Sequence, residues 1–346
     1  MALHGKIIFR TDGGEKIGLN HLIRCAALAE MLREQYECML AIRVPNPSAL
    51  QLVGGVFHSI ISLPDAENYD GDELISHLQA GDIVVLDGIQ FQTDYQKKIR
   101  EHCKIVCIDD LHSHHFVADA IINHAEGILP KDYSTDEHTR FYLGARYALI
   151  RQPFIKAAIE NSSQSPAGEL SIASRAMIHI GGNDFHNTTQ KVLSALVKTE
   201  MINEIEIVVS KMNPNISLLE DFIYANRKTA KIMLCKNLPG DELCDLMKTC
   251  RYMICAANNV LYEACAVGIK IISGHISKTQ QELLHGLVAK GVVNNFGNFL
   301  TEDENNLQSR FELFMNDETT WQQLSNQKLL IDGQSPVRLF EIFNKL

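Results

Sequence analysis

The chain alternates short apolar runs with segments in which apolar residues recur every three or four positions. Uninterrupted apolar runs such as DIVVLD and KIVCIDD are typical of strands in a parallel sheet covered on both faces. This pattern predicts strands at residues 6–10, 38–44, 82–87, 104–109, 120–123, 175–180, 204–209, 231–235, 252–255 and 270–273. It predicts helices at residues 20–34, 72–79, 94–102, 187–199, 216–227, 239–249, 259–267 and 279–290. Such alternation indicates an α/β protein with doubly wound sheets.

The predicted elements form two groups separated by residues 161–174, NSSQSPAGELSIAS, the one polar run rich in Ser, Gly and Pro. That composition is typical of a linker. At 346 residues the chain also exceeds one ordinary hydrophobic core. We therefore expect Rossmann-like domains at 1–160 and 175–335. Because open α/β sheets bind ligands at the carboxyl ends of their strands, we expect a site in a cleft between the domains.

Composition narrows the class of protein. The chain is 46% hydrophobic and 21% charged, which is typical of a globular protein. No run approaches 18 uninterrupted apolar residues and no signal peptide is evident, so no membrane segment is expected. Nine cysteines, mostly in apolar runs and without a C-x-x-C pair, predict reduced thiols and a cytoplasmic location. The formal net charge of −10 argues against nucleic acid or an anionic membrane as partner.

The opening segment, residues 7–32, combines a strand, a glycine loop and a helix N-terminus. Gly13, Gly14 and Gly18 allow the backbone to approach a ligand closely, and the helix start presents free N–H groups. The segment lacks the lysine–serine ending of a Walker A motif and the spacing of a dinucleotide fingerprint, so neither ATP nor NAD is indicated. It predicts a site for the phosphate of a small molecule.

Side chains around this loop add chemistry to the predicted anion site. His21 is a group that can move a proton near pH 7, and it shares a helix face with Arg24. Arg10, Lys16 and Arg24 would supply the cationic donors that the overall negative charge does not. A surface histidine without a role is the alternative for His21. The combination favours an enzyme that acts on a phosphorylated small molecule.

Two turns in the second half could form the other part of a site. Gly181, Gly182, Asn183 and Asp184 follow a strand and precede a helix, which predicts a second phosphate-binding turn, with an ordinary βα turn as the alternative. In residues 255–265, CAANNVLYEAC, the asparagines Asn258 and Asn259 are expected to cap a helix or to contact a ligand. Glu263, one turn further, could accept hydrogen bonds from sugar hydroxyls or lie on a solvated helix face.

Acidic residues also end two strands of the first half. Asp87 closes DIVVLD and Asp109–Asp110 close KIVCIDD, where either could orient His21 or a sugar hydroxyl. Capping is an equally open role for Asp110. The histidines of residues 112–115, HSHH, lack Cys, Asp or Glu at ligand spacing, which favours a solvated loop over a zinc site. No G-x-S-x-G motif is present, so acyl-enzyme chemistry is not indicated.

At this point the motifs resemble a known family. FRTDGGEKIGLNHLIRCAALAEML resembles the opening of the UDP-sugar hydrolases of the pseudaminic acid pathway and of related spore-coat polysaccharide proteins. Their pattern is roughly F-R-x-D-x-x-x-x-I-G-x-G-H-x-x-R-C-x-x-L-A. The resemblance continues through IDDL, LGARYALIRQPF, GGND and NNVLYEACAVG to Gln280 and Gly291. It covers most of the chain in the right order.

The resemblance implies a GT-B-like fold, as in the MurG enzyme, with residues 336–346 crossing back to the first domain. It implies that water attacks the anomeric carbon of UDP-2,4-diacetamido-2,4,6-trideoxy-β-L-altrose and releases UDP, without cofactor or metal, and that His21 is catalytic. The uridine and pyrophosphate contacts fall on Gly182, Asn183, Asn259, Glu263 and Gln280. All expected substrate-binding residues are Arg10, Asp12, Lys16, Gly18, Asn20, Arg24, Asp87, Gly181, Gly182, Asn183, Asn258, Asn259, Glu263 and Gln280.

Three departures from the family pattern concern the sugar and phosphate. Asn20 replaces the glycine of G-x-G-H, Gly88–Ile89 follows Asp87 without the family's aromatic residue, and residues 258–260 read Asn-Asn-Val. An altered sugar is therefore one alternative. The others are a glycosyltransferase that uses a UDP-sugar donor and a nucleotide-sugar binding protein without catalysis. The identity of the sugar and the oligomeric state are not predicted.

Overall fold

The computed structural model describes residues 3–14, 17–65, 71–163, 174–181, 183–317 and 321–346. Two predicted site residues, Lys16 and Gly182, lie outside these ranges. The chain divides into two compact units, the first formed by Met1–Gln152 with Gln334–Leu346 and the second by Pro153–Gly333. Each unit contains one large parallel sheet flanked by helices.

The elements follow in chain order. The strands are β1 (Lys6–Thr11), β2 (Glu37–Arg43), β3 (Ser59–Leu63), β4 (Ile83–Asp87), β5 (Lys104–Ile108), β6 (His115–Phe116), β7 (Ala120–Asn123), β8 (Ser134–Thr135), β9 (Arg140–Leu143), β10 (Arg175–His179), β11 (Glu204–Val209), β12 (Lys231–Lys236), β13 (Tyr252–Ala256), β14 (Lys270–His275) and β15 (Asn294–Asn298). The α-helices are α1 (Asn20–Leu32), α2 (Pro47–Leu52), α3 (Asp72–Ile75), α4 (Thr93–Arg100), α5 (Gln152–Ser163), α6 (Thr188–Lys198), α7 (Ile216–Asn226), α8 (Gly240–Lys248), α9 (Asn259–Val267), α10 (Lys278–Ala289), α11 (Glu304–Met315), α12 (Trp321–Leu330) and α13 (Ser335–Phe343).

The sheet of the first unit has the strand order β3-β2-β1-β4-β5-β7-β9, and all of its neighbouring strands are parallel. Strand β4 is buried along its whole length and β1 from its second residue onward, as expected for continuous apolar runs. The order reverses between β1 and β4, which pair in register from Ile7 with Ile83 to Thr11 with Asp87. This reversal is the topological switch point of the first sheet.

The sheet of the second unit has the order β12-β11-β10-β13-β14-β15, again entirely parallel. Its switch point lies between β10 and β13, where His179 pairs with Cys255. Apolar residues of both strands and of α6 and α11 pack into one buried core. The predicted doubly wound α/β class is therefore confirmed for both units.

The C-terminal helix α13 packs against α1 in the first unit. The ring of Tyr36, just after α1, lies 6.4 Å from that of Phe340 and 6.5 Å from that of Phe343. Among the described residues, no helix combines the length and the apolar character that crossing a bilayer would require.

All ten predicted strands are present, whereas β3, β6, β8, β9 and β15 were not predicted. Strands β6 and β8 have two residues each and pair with each other, and β3, β9 and β15 lie at edges of the two large sheets. Strand β15 reads NNFGN, so no apolar run marks it. The boundary between the units also differs from the predicted linker. Residues 161–163 belong to α5, where Asn161 donates to the carbonyl of Ala266 at 2.8 Å, and the units divide at residue 152. Residues 164–173 lie outside the described ranges.

Candidate active site

The two switch points bring most of the described predicted site residues to the carboxyl edges of the sheets. In the first unit, the loop after β1 leads into α1, and Asp87 ends the neighbouring β4. In the second unit, the turn after β10 and the turn after β13 are neighbours across the paired strands. Crevices at such reversals are where open α/β sheets bind ligands. Each switch point is described in turn.

The loop before α1 is closed by its own backbone. Gly14 and Gly18 exchange two hydrogen bonds, with N to O distances of 3.0 and 2.8 Å, and Gly18 has φ +84°, which a side chain would strain. Leu19 precedes α1 without a capping side chain, and Asn20 is exposed at the first helical position. The first N–H groups of α1 are thus available to an anion, which leaves contacts by Gly18 and Asn20 as predictions.

Arg10 and Asp12 form a buried ion pair. Arg10 Nη1 and Nη2 donate to the two Asp12 oxygens at 2.6 and 3.1 Å, and both side chains are buried. Asp12 also accepts from the backbone N–H of Arg43 at 2.9 Å, and the Arg10 guanidinium lies 4.9 Å from the centre of the Phe91 ring. The pair therefore joins β1 to β2. Arg10 and Asp12 thus pair with each other in the structure, and contacts of either side chain with a ligand stay predictions.

Asp87 is the centre of a second network, which we call the Asp87 network: His21, Arg24, Asp87 and Asp110. Arg24 donates from Nε and Nη2 to the two oxygens of Asp87, both at 2.6 Å, and from Nη1 to Asp110 Oδ1 at 2.8 Å. His21 Nδ1 lies 2.7 Å from Asp87 Oδ1. Asp87 is fully buried and Arg24 is 6% exposed. Arg24 thus holds two carboxylates, and its contact with a phosphate stays a prediction.

The charges of this network stabilise one another. Burial alone would raise the pKa of Asp87, but Arg24 and His21 outweigh it and hold that pKa well below its usual range. Burial and Arg24 act in the same opposed way on Asp110, whose pKa is also lowered. Burial would lower the pKa of Arg24, yet Asp110 and Asp87 raise it well above the ordinary value. Two carboxylates and one guanidinium therefore stay charged at neutral pH, with a net negative charge.

This geometry assigns the proton of His21. Because the ionised Asp87 can only accept, we place the proton of neutral His21 on Nδ1. The lone pair of Nε2 then faces away from Asp87, and the imidazole is 22% exposed. A buried carboxylate on Nδ1 also stabilises the imidazolium that forms when Nε2 takes a proton. The buried Asp87 thus holds the imidazole of His21 by its Nδ1 atom.

A small cavity of about 30 Å³ adjoins His21 and Asp110. Its wall includes the apolar side chains of Ile89, Phe91 and Phe116. A space of that size is large enough for a water molecule or two. His21 and a water-sized cavity with a largely apolar wall therefore lie together at the first switch point.

His124 belongs to the same surroundings, although it was not predicted as a site residue. It follows β7 and is 3% exposed. Burial, followed by the nearby charge of Arg24, lowers its pKa to about 4, against the opposing effect of Asp110 and Asp87. His124 is therefore neutral at physiological pH. A histidine at the end of a predicted strand is the only sequence signal that marks it.

The histidines of residues 112–115 do not converge. His114 stacks on Phe116 with ring centres 4.0 Å apart and contacts Gln96, whereas His115 Nε2 lies 3.0 Å from Asp136 Oδ1. Across the part of the chain that the structure describes, no group of three or more His, Cys, Asp or Glu residues could hold a metal ion. The expected solvated loop is corrected for His114, which is half-buried against an aromatic ring.

In the second unit, the turn after β10 is shaped by its backbone. Gly181 has φ +153°, a conformation that side chains rarely adopt, and open space surrounds the position of a Cβ there. Asp184 is buried and accepts from the N–H groups of Thr188 and Thr189, both at 2.8 Å. The carboxylate therefore caps α6. Asn183 is half-buried in this turn, and its ligand contact stays a prediction.

The turn after β13 is held by asparagine. Asn258 Oδ1 accepts from the N–H of Val260 at 3.0 Å, so the capping role considered for it is present. Asn259 is 8% exposed, and Glu263 is buried rather than on a solvated face. Gln280 Oε1 accepts from the N–H of Ile276 at 2.9 Å near the start of α10. Contacts of these residues with a nucleotide remain predictions.

Comparisons with known proteins agree with the resemblance found in the motifs. No protein-family profile matches the chain. An uncharacterized protein of Methanocaldococcus jannaschii is 26% identical over 80% of this chain, and the match spans 57% of that relative's length. The UDP-2,4-diacetamido-2,4,6-trideoxy-beta-L-altropyranose hydrolase of Campylobacter jejuni is 24% identical over 83% of this chain and 97% of its own. The spore coat polysaccharide biosynthesis protein SpsG of Bacillus subtilis is 22% identical over 75% of this chain and 74% of its own.

Solved structures share the fold. MurG of Acinetobacter baumannii matches with a TM-score of 0.63 at 12% identity, covering 99% of this chain and 100% of its own. The spinosyn rhamnosyltransferase SpnG, complexed with thymidine diphosphate, matches with a TM-score of 0.61 at 13% identity. The match covers 98% of this chain and 96% of the SpnG chain. The chain thus has the fold of the GT-B glycosyltransferases, and its sequence resembles the pseudaminic acid UDP-sugar hydrolases and SpsG.

Proposed function

We propose that the protein hydrolyses a UDP-activated amino or deoxy sugar to the free sugar and UDP, in the biosynthesis of a surface polysaccharide or a nonulosonic acid. The observation that carries this proposal is the His21–Asp87 pair, because His21 is held by a buried carboxylate and lines a water-sized cavity. The likeness to the Campylobacter jejuni hydrolase over most of the chain supports the choice of substrate class.

In the proposed reaction, Nε2 of His21 takes a proton from water as the water oxygen bonds to the anomeric carbon. The bond between that carbon and the phosphate oxygen breaks, and UDP leaves with the electron pair. Asp87 stabilises the imidazolium that results, while Arg24 keeps Asp87 ionised. General-base catalysis of this kind typically contributes a factor of about 10²–10⁴ in rate.

We assign the nucleotide to the second unit. Gly181 leaves open space above the turn after β10, and α9 begins after the neighbouring turn. Asp184 already accepts from the first N–H groups of α6, so we assign the anion to the remaining backbone donors of the two turns. Helix N-termini stabilise anions, and charge that grows on departing UDP is such an anion. By contrast, the Asp87 network carries net negative charge, so it suits the glycosyl group better than the diphosphate.

The test is to incubate the purified protein with a panel of UDP-amino sugars and to measure UDP release with and without sugar acceptors. We expect release without an acceptor, and a loss of about 10²–10⁴ in kcat for His21→Ala with the Kd for UDP unchanged. His77→Ala is the matched control, because His77 is exposed near the amino end of β1, where Lys6 donates to its carbonyl. That variant should keep wild-type turnover.

Other outcomes would select another function. Release that requires an acceptor would make the protein a glycosyltransferase, as the spinosyn rhamnosyltransferase SpnG is. Binding of UDP-sugars without turnover would indicate a nucleotide-sugar binding protein. Wild-type hydrolysis by His21→Ala would remove His21 from the mechanism, and failure to bind UDP would overturn the proposal as a whole.

A further inference from the structure

Asp110 differs from the other charged residues of the Asp87 network in its access to solvent. Its side chain is 26% exposed, whereas Arg24 is 6% exposed and Asp87 is fully buried. Asp110 and His21 both line the cavity at the first switch point. Within the network, His21 and Asp110 are thus the two residues with appreciable solvent access, at 22% and 26% exposed.

One oxygen of Asp110 is uncommitted. Oδ1 accepts from Arg24 Nη1 at 2.8 Å, while Oδ2 has no hydrogen-bond partner within the ranges that the structure describes. Arg24 directs its Nε and Nη2 to Asp87. An ionised carboxylate only accepts hydrogen bonds, so Oδ2 is suited to a donor on a bound molecule.

The backbone around Asp110 fixes its position. Asp109 Oδ2 accepts from the N–H groups of Leu111 and His112 at 3.1 and 2.7 Å, which closes a tight turn after β5. His112 has φ +41° in that turn, a conformation uncommon for a residue with a side chain. With Arg24 holding Oδ1 as well, little ordering remains to be done when a ligand binds.

The surroundings indicate which kind of group would bind. The net negative charge of the Asp87 network disfavours phosphate, and the apolar Ile89, Phe91 and Phe116 line the same cavity. A hydroxyl or acylamino N–H on a sugar ring combines a hydrogen-bond donor with C–H surface. We infer that Asp110 contacts the glycosyl group of the substrate and accepts a hydrogen bond from such a donor through Oδ2. This inference rests on the proposed function.

The test compares Asp110→Asn and Asp110→Ala in equilibrium binding, which needs no turnover, using UDP-N-acetylglucosamine and UDP as probes. An asparagine oxygen can still accept from Arg24, but its NH₂ group then replaces the free Oδ2 with a donor. We therefore expect both variants to raise the Kd for the UDP-sugar at least tenfold and to leave the Kd for UDP within twofold of wild type. Asp136→Asn, an exposed aspartate paired with His115, is the control and should change neither value.

The readouts separate substrate contact from positioning. A residue that only orients Arg24 and Asp87 would change kcat and the pH profile in Asp110→Ala, would be largely rescued in Asp110→Asn, and would leave the Kd for the UDP-sugar unchanged. That pattern would overturn the inference. If wild type binds UDP and the UDP-sugar, and Asp110→Asn binds the UDP-sugar as tightly as wild type does, the inference falls and the proposed function stands. If wild type binds neither probe, the proposed function falls first and the inference with it.

Discussion

The two switch points reach a similar position in the fold by different means. In the first unit, side chains that are distant in the sequence meet as a buried charged network around Asp87. In the second unit, glycine and asparagine shape the backbone, with Gly181 in one turn and Asn258 capping the helix after the other. A network of charges thus positions His21 in the first unit, whereas backbone conformation and an asparagine cap shape the turns of the second. In our proposal, the first arrangement serves proton transfer and the second receives an anion.

The two switch points also differ in the charges that surround them. The Asp87 network holds two carboxylates against one guanidinium, so its sign opposes phosphate. In the second unit, the carboxylate of Asp184 accepts hydrogen bonds from the N–H groups that begin α6. An anion there would rely on the remaining backbone donors, since the net charge of −10 offers no general attraction.

Asp87→Asn should break the first site. The neutral amide cannot balance Arg24 or stabilise an imidazolium at His21, so we expect kcat to fall by about 10²–10⁴. Removing one partner of a buried ion pair costs about 3–5 kcal/mol, which should appear as a lower free energy of unfolding in denaturant titrations. The Kd for UDP should stay at the wild-type value.

Asp94→Asn is the control for this prediction, because its side chain is 99% exposed and lies 3.9 Å from Lys97. Exposed ion pairs contribute little, so its free energy of unfolding should move by less than about 0.5 kcal/mol. Equal effects of the two substitutions would show that the Asp87 network does not organise the first unit.

The pH dependence of stability should come largely from the first unit through His124. Below about pH 6.5 an unfolded chain protonates this histidine, but the folded protein, with a pKa of about 4, does not. The free energy of unfolding should therefore fall as the pH drops from 6.5 to 4, by up to about 3 kcal/mol. Asp87 and Asp110, whose pKa values are lowered, lose their stabilising effect only below the usual aspartate range.

The measurement is denaturant unfolding at pH 7 and pH 4.5 for wild type and His124→Gln, with hydrogen exchange to locate the loss. The glutamine variant should lose most of the difference between the two pH values, and increased exchange should be confined to the first unit. A pH dependence that is unchanged in His124→Gln would show that burial does not keep this histidine neutral.

The sequence predicts features that depend on local contacts better than features that depend on contacts between residues distant along the chain. Continuous apolar runs identify the central strands, and glycines at strand ends mark both switch points. The edge strands β3, β9 and β15 were not predicted, because a strand at the edge of a sheet does not require a continuous apolar run. Edge strands bury fewer side chains, so their sequences are under weaker constraint to be apolar.

The site shows the same limit more sharply. The sequence identifies His21 and the acidic strand ends, but it counts Arg10 and Arg24 as free cations. In the structure these cations are paired. The partners of Arg24 are distant in the sequence, because Asp87 lies 63 positions and Asp110 lies 86 positions away along the chain. A sequence shows which residues are charged, but it does not show which of these charges are paired in the folded protein. For the same reason, burial of His124 against that network could not be predicted.

Gly181→Ala should weaken the second site through backbone strain alone. Open space surrounds the position of the new Cβ, but φ +153° is unfavourable for alanine by about 1–3 kcal/mol. If the turn shifts to relieve the strain, its backbone no longer suits the nucleotide, and the Kd for UDP should rise about tenfold. Gly5→Ala, where the new Cβ also meets nothing and φ lies outside the left-handed region, should leave binding unchanged.

Asn258→Ala and Asn258→Ser should give the smallest effects and decide between the two roles that the sequence leaves open. Loss of the cap costs about 1 kcal/mol, and serine should restore it because its hydroxyl can accept from the same backbone N–H. If the asparagine also contacts the nucleotide, serine will recover the free energy of unfolding but not the Kd for UDP. Recovery of both by serine would assign Asn258 to capping alone, so that the second unit holds its ligand without this side chain.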